Sequence, residues 1–227
     1  MDYETIAARI APTGMICRGG FHPGPDDGVP AAAGTAVLVG NAGGEFWRRF
    51  RAQFPDGADR PRNETENPLE DWTRRELGAI ARELDADLLF PFGGPPHHPF
   101  MRWARKAETV FASPIGPLIH PTYGLWHAYR GLLVFAESMN LPDHGQQPSP
   151  CDDCAERPCL DACPVGALQE VGFDMAPCIA YLAGEAGADC LGLGCEARRA
   201  CPIGAEYLYE PDQVRLHQRA FFLKHQP

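Results

Sequence analysis

The chain of 227 residues has no uninterrupted apolar stretch long enough to cross a bilayer. Its first residues, Met1-Asp2-Tyr3-Glu4, lack the basic and then apolar character of a secretory leader. Both absences lead to the expectation of a cytoplasmic protein with no membrane partner, in a compartment where thiols stay reduced. No G-x-G-x-x-G or Walker pattern is present, so the glycine turn Asn41-Ala42-Gly43-Gly44 reads as a tight strand-to-helix connection; a cradle for an anion on the helix N-terminus is the alternative. A basic stripe is also missing. The net charge is −10, and residues 151–202 carry nine acidic side chains against Arg157, Arg198 and Arg199. Such a surface argues against nucleic acid as a partner, because nothing neutralises phosphates. It suits a basic electron donor, or serves solubility alone.

What is abundant is cysteine in one place. Eight of the nine cysteines fall between 151 and 202: Cys151, Cys154, Cys159, Cys163, Cys178, Cys190, Cys195 and Cys201. The first four read C-x2-C-x4-C-x3-C-P, one insertion away from the bacterial ferredoxin run C-x2-C-x2-C-x3-C-P, whose fourth cysteine ligates the other cluster. Ala162-Cys163-Pro164-Val165-Gly166-Ala167 and Ala200-Cys201-Pro202-Ile203-Gly204-Ala205 form a local repeat. A 4Fe–4S cube needs four thiolates converging from different sides; eight cysteines supply two such sets. Two structural zinc sites are the competing use, but zinc knuckles favour paired C-x2-C units and only one is present. A disulfide framework suits short secreted chains with an even cysteine count, which this is not. Cys17, far from the rest, reads as a buried or free thiol.

Along the chain, Ile6 and Ile10 predict a short helix over 2–10, followed by a strand at 15–17 and a Gly- and Pro-rich loop over 19–34. Residues 35–40 read as a buried strand leading into a helix from Glu45, with Phe46, Trp47, Phe50 and Phe54 on its apolar side. A polar loop is expected over 55–66. Asn67 and Pro68 then open a helix with Leu69, Trp72, Leu77, Ile80 and Leu84 as its core stripe. Leu88-Leu89-Phe90 reads as a strand ending in the loop 92–99, whose glycines, aromatics and paired His97 and His98 are typical of a ligand site. A helix with Met101, Trp103 and Ala104 follows. In the stretch 112–135, an apolar, proline-interrupted first half must lie against something, and the second half reads as a long strand closing the sheet.

Two resemblances attach to these residues. The cysteine part, with Cys178-Ile179-Ala180-Tyr181-Leu182 following the ferredoxin-like run, resembles the iron–sulfur module of epoxyqueuosine reductases and, more loosely, of reductive dehalogenases. That likeness implies one cluster on Cys151, Cys154, Cys159 and Cys201 and a second on Cys163, Cys178, Cys190 and Cys195. Residues 119–131, Ile119-His120-Pro121-Thr122-Tyr123-Gly124-Leu125-Trp126-His127-Ala128-Tyr129-Arg130-Gly131, are similar to the I-H-P-R-F-G-G-W-F-A-I-R-G strip of CblC-type cobalamin-processing proteins. The combined resemblance implies an α+β fold: a nitroreductase- or flavin-reductase-like cobalamin-binding domain over 1–142, then a small ferredoxin-like module with two 4Fe–4S clusters over 143–227. It further implies base-off cobalamin, with flavin as a lesser alternative, contacted by Ile115, Gly116, Leu118, His120, Trp126 and Arg130. The expected activity is an oxidoreductase that passes electrons to cobalamin and reduces or removes its upper ligand. Its electron donor would be a ferredoxin, flavodoxin or flavoprotein reductase. The alternatives are a cobalamin-dependent reductase of an organic substrate, and a non-enzymatic cobalamin or electron carrier.

Overall fold

The computed structural model describes residues 1–30, 32–54, 67–145, 147–169 and 172–226. The polar loop expected over 55–66 lies outside the described residues. In chain order the elements are α1 (Tyr3–Ile10), β1 (Ile16–Phe21), β2 (Thr35–Ala42), α2 (Glu45–Gln53), α3 (Pro68–Glu83), β3 (Asp87–Leu89), α4 (Phe100–Ala107), β4 (Phe111–Ala112), β5 (Leu118–Ile119) and β6 (His127–Phe135). They continue with α5 (Pro158–Asp161), β7 (Leu168–Gln169), β8 (Gly172–Phe173), α6 (Met175–Ala183), α7 (Ala188–Leu193), α8 (Glu196–Arg199) and α9 (Pro211–His225). The chain divides into two units: Met1–Thr109 with His127–Gln146, and Val110–Trp126 with Gln147–Pro227. The segment 110–126 therefore belongs with the cysteine-bearing unit, whereas the sequence reading places it inside a domain spanning 1–142.

The first unit is built on an antiparallel sheet of order β1-β2-β6-β3. β6 is an interior strand, paired with β2 from Ala42↔His127 to Thr35↔Phe135 and with β3 from Asp87↔Val134 to Leu89↔Leu132. This corrects its expected position at the sheet's edge. Leu132, Leu133, Val134 and Phe135 are all buried; since successive side chains point to opposite faces, both faces of the sheet are covered here. β1 also runs further than expected, through Gly19 and Gly20, because its register with β2 shifts between Cys17 and Gly20. A Cβ at Gly19 would lie 1.9 Å from the Ala107 carbonyl oxygen, so only glycine fits that bulge.

The helices of this unit follow the apolar periodicity. Asp2 caps α1 by accepting from the Thr5 amide at 2.8 Å, and Ile6 and Ile10 face the core. Phe46 and Phe50 of α2 meet Trp72 of α3 at ring-centroid distances of 5.0 and 5.7 Å. On α4, Phe100, Trp103, Ala104 and Ala107 are buried, whereas Met101 is 48% exposed. The loop before α4 is anchored by protein: His98 stacks on Trp103 at 5.6 Å and the Arg74 guanidinium lies 4.8 Å from the Phe92 ring.

One buried ion pair crosses this core. Arg18 on β1, 2% exposed, donates from Nε and Nη2 to the two carboxylate oxygens of Glu108, 7% exposed, both at 2.8 Å. Tyr129 Oη donates to the same carboxylate at 2.8 Å, and Arg18 also donates to His127 Nδ1 at 3.3 Å. Burial pushes the Glu108 carboxyl above its ordinary range, against the pull of Arg18 and Tyr129.

The second unit has little regular structure: two-stranded pieces β4–β5 and β7–β8, and short helices. Two apolar clusters hold it. Ile179, Leu182 and Cys190 pack with Cys178, Tyr181, Phe221 and Phe222. Trp126, Tyr209 and Val214 pack with Tyr207.

Candidate metal centre

The four cysteines Cys151, Cys154, Cys159 and Cys201 line one cavity of about 320 Å³, counted with its open mouth. Local structure brings the first three together. Ser149 Oγ accepts from the Cys151 amide at 3.2 Å and turns the chain. Arg157, at φ 42°, reverses it, and Pro158 opens the short helix α5 that buries Cys159. Cys201 arrives from α8, which packs on α5. Burial raises the Cys159 thiol, and the neighbouring Cys201, Cys151 and Cys154 raise it further; burial likewise dominates at Cys151 and Cys201.

A second group forms around α6 and α7. Burial raises Cys178, with further contributions from Cys195 and Cys163. Burial also pushes Cys190 up to about 11, with Glu196 and Cys195 among the lesser causes. The Cys163 sulfur accepts from the Ala167 amide at 3.3 Å inside the turn Pro164-Val165-Gly166. The eight clustered cysteines thus fall into two sets of four, 151/154/159/201 and 163/178/190/195. All are free thiols.

Among the described residues no three His, Cys, Asp or Glu side chains converge as they would on a single ion. The donor chemistry nevertheless fits a 4Fe–4S cube, in which each thiolate binds a different iron, so the sulfurs stay apart. Cys17 stands outside both sets, and burial pushes its thiol up to about 12.

The apolar segment 110–126 lies against the first set. Pro114 and Ile119 line the same cavity as its four cysteines, together with Pro202 and Ile203. β4 and β5 pair as a hairpin closed by Gly116 N–H to the Ser113 carbonyl at 3.1 Å. At its tip Ile115 is half-buried and Gly116 is exposed with φ 102°. His120 stacks on Tyr123 at 4.3 Å, and its Nδ1 accepts from the Thr122 and Tyr123 amides at 3.0 and 3.2 Å. Its orientation is therefore fixed by its own turn.

Three of the residues expected at a corrin make contacts within the protein. Leu118 is buried. Trp126 is 1% exposed, packed on Tyr209 at 5.5 Å and under the Arg198 guanidinium at 4.4 Å. Arg130, in the first unit, donates from Nε to Asn41 Oδ1 at 2.9 Å and lies 4.7 Å from the Phe46 ring. The motif strip therefore includes packing residues; Ile115, Gly116 and His120 keep exposed surface.

The sequence reading missed Arg198, which also donates to the Leu125 carbonyl at 2.6 and 3.1 Å and so ties α8 to the segment 110–126. Its place in the pair Arg198-Arg199, just ahead of the Ala200-Cys201-Pro202 repeat, is the one signal that marks it. It also missed the meeting of the turns at Gly124 and Gly204, for which the glycines themselves are the signal.

Among the described residues no helix is long and apolar enough to cross a membrane. No protein-family model and no curated protein matches the chain. Solved structures do. Epoxyqueuosine reductase from Streptococcus thermophilus is 15% identical with a TM-score of 0.55, the match covering 94% of this chain and 70% of that one. An epoxyqueuosine reductase with an epoxyqueuosine-modified tRNA-Tyr stem loop is 17% identical, TM-score 0.55, covering 93% and 68%. The B12-trafficking protein CblC from C. elegans is 13% identical, TM-score 0.53, covering 99% and 97%. The chain therefore has a mixed α+β fold, similar to both epoxyqueuosine reductase and CblC.

Proposed function

We propose that the chain is a cobalamin-binding iron–sulfur reductase, an oxidoreductase whose substrate is cobalamin and whose reaction reduces the cobalt or removes its upper ligand. The observation that carries this reading is the cavity in which Cys151, Cys154, Cys159 and Cys201 meet Pro114 and Ile119 of the hairpin 110–120. Four thiols and an apolar loop with an exposed tip line one cavity.

When bound, two 4Fe–4S clusters supply single electrons at potentials set by burial, charge and hydrogen bonds to sulfur. The protein does the rest. Cys151, Cys154, Cys159 and Cys201 would hold the exit cluster. Cys163, Cys178, Cys190 and Cys195 would hold the entry cluster. Pro114 and Ile119 wall the exit side with apolar atoms and exclude water, so that charge moving there is poorly screened. Ile115 and Gly116 at the hairpin tip would meet the corrin, as would His120, whose ring is oriented by the Thr122 and Tyr123 amides.

Support for the class comes from the two kinds of neighbour, one a reductase and one a B12-trafficking protein by name. A second reading is favoured by the cysteine run: a reductase that keeps cobalamin resident and acts on an organic substrate of the epoxyqueuosine kind. One experiment separates them. Anaerobically purified protein carrying iron and sulfide is titrated with cyano- and methylcobalamin under a chemical reductant, with an epoxyqueuosine-containing tRNA stem loop assayed in parallel. Loss of the upper ligand without tRNA turnover supports cobalamin as substrate. Turnover of the tRNA supports the second reading, and no spectral change with any cobalamin removes both.

A further inference from the structure

Gln213 is the one described side chain whose buried polar atoms have no partner. It lies on α9, 0% exposed, and neither its Nε2 nor its Oε1 meets a hydrogen-bonding group of the protein. An unpaired buried amide forfeits its hydration without recompense, and such groups are rare in folded proteins. The same volume filled by Leu or Met would avoid that cost, so the amide's persistence calls for an acceptor or donor outside the polypeptide.

The surroundings of α9 say which. The helix packs on α7 and α6, which carry Cys190 and Cys178. Val214, the next residue, touches Gly194: a Cβ there would lie 2.7 Å from Val214 Cγ1, and Cys195 follows directly. Two turns further on, Phe221 and Phe222 pack into the cluster of Cys178 and Cys190. α9 therefore flanks the helices that carry Cys190 and Cys178, and it carries Gln213 as a buried neutral amide beside Val214, which packs on Trp126 and Tyr209 and meets Gly194. A sulfide or thiolate of a cluster is an acceptor with no hydrogen of its own, and a carboxamide N–H satisfies it without adding charge.

We propose that Gln213 donates a hydrogen bond from Nε2 to a sulfur of the second cluster and thereby raises its reduction potential. The inference rests on the two-cluster reading above. Its sign follows from charge: reduction adds an electron to the cluster, and an N–H donor stabilises the more negative state. Removing the donor makes that cluster harder to reduce and retunes the electron entry side relative to the exit side.

The test is potentiometric titration of the loaded full chain, followed by electron spin resonance, for the wild type, Gln213→Leu and Gln213→Met. The expected result is unchanged iron and sulfide content and a negative shift of one midpoint. A tenfold change in the oxidised-to-reduced ratio corresponds to about 59 mV for a one-electron couple. The other midpoint stays put, and the shifted signal is the one absent from Cys178→Ser. Coincident midpoints in fully loaded variants overturn the proposal and leave Gln213 as the partner of a buried water. The wild type gives an independent check that needs no variant: protein with 15N in the glutamine side-chain amides should show nitrogen hyperfine coupling on the second cluster's signal, and absence of that coupling overturns it. If the wild type takes up no iron and sulfide at all, it is the two-cluster reading that fails.

Discussion

Gly124 and Gly204 meet backbone to backbone. A Cβ on Gly204 would stand 2.6 Å from the Gly124 nitrogen, and a Cβ on Gly124 would stand 1.8 Å from the Ile203 carbonyl oxygen. Both residues have positive φ, 56° and 75°. The turn that follows His120 is thus seated on the turn that follows Cys201, with no room for a side chain between them.

Gly124→Ala should therefore push the Ile203-Gly204 turn away and displace Cys201. The left-handed conformation adds roughly 1–2 kcal/mol to the steric cost. The expected outcome is protein that keeps the second cluster and loses the first, read as about half the iron content and the loss of one of two electron-spin signals. Full content with both signals would show that this contact does not position Cys201.

Single ligand replacements should sort the cysteines. Cys201→Ser and Cys178→Ser should each abolish one signal, and a different one, because their thiols belong to different sets of neighbours. Loss of the same signal in both, or of neither, would refute the partition.

Arg18→Met should leave Glu108 as an uncompensated buried carboxylate and destabilise the protein by about 3–5 kcal/mol in denaturant titration. Arg18→Met with Glu108→Leu should recover most of that loss, since both charges are then gone. A double variant as unstable as the single one would mean that Tyr129 and His127, which share this network, matter more than the pair.

The core helices were legible in the sequence because apolar spacing is a local property: Ile6 and Ile10, or Leu69, Trp72, Leu77, Ile80 and Leu84, mark their own buried faces. Strand order is not local. Nothing in residues 127–135 tells an interior strand from an edge one until β3 is known to pair on the far side. The same limit applies at the site. Cysteine spacing shows that thiols are gathered in one stretch, whereas the arrival of Cys201 beside Cys151 depends on α8 packing on α5. Trp126 and Arg130 sit in a motif-like strip, but their roles are set by Arg198, Tyr209, Asn41 and Phe46, none of them near in sequence.

Cys17 should behave unlike the other thiols. Its folded value of about 12 lies above the ordinary 9.0 because burial disfavours the thiolate. A group raised on folding contributes stability that is complete below the unfolded value and is lost as pH rises through the window from 9 to about 12. Native protein at pH 8 should leave Cys17 unalkylated by iodoacetamide while unfolded protein reacts, and Cys17→Val should flatten the fall in stability above pH 9. Rapid native labelling of Cys17 at pH 8 would contradict this.

On the proposed function, electrons stored at the cysteine sets reach cobalamin on the same chain. The most direct measurement is a single turnover: loaded protein is reduced, freed of excess reductant, and mixed anaerobically with cyanocobalamin in a stopped-flow spectrometer. Cluster absorbance should return in step with the change in the corrin spectrum, and Cys201→Ser should abolish both. A corrin spectrum that stays unchanged while the clusters remain reduced would contradict it.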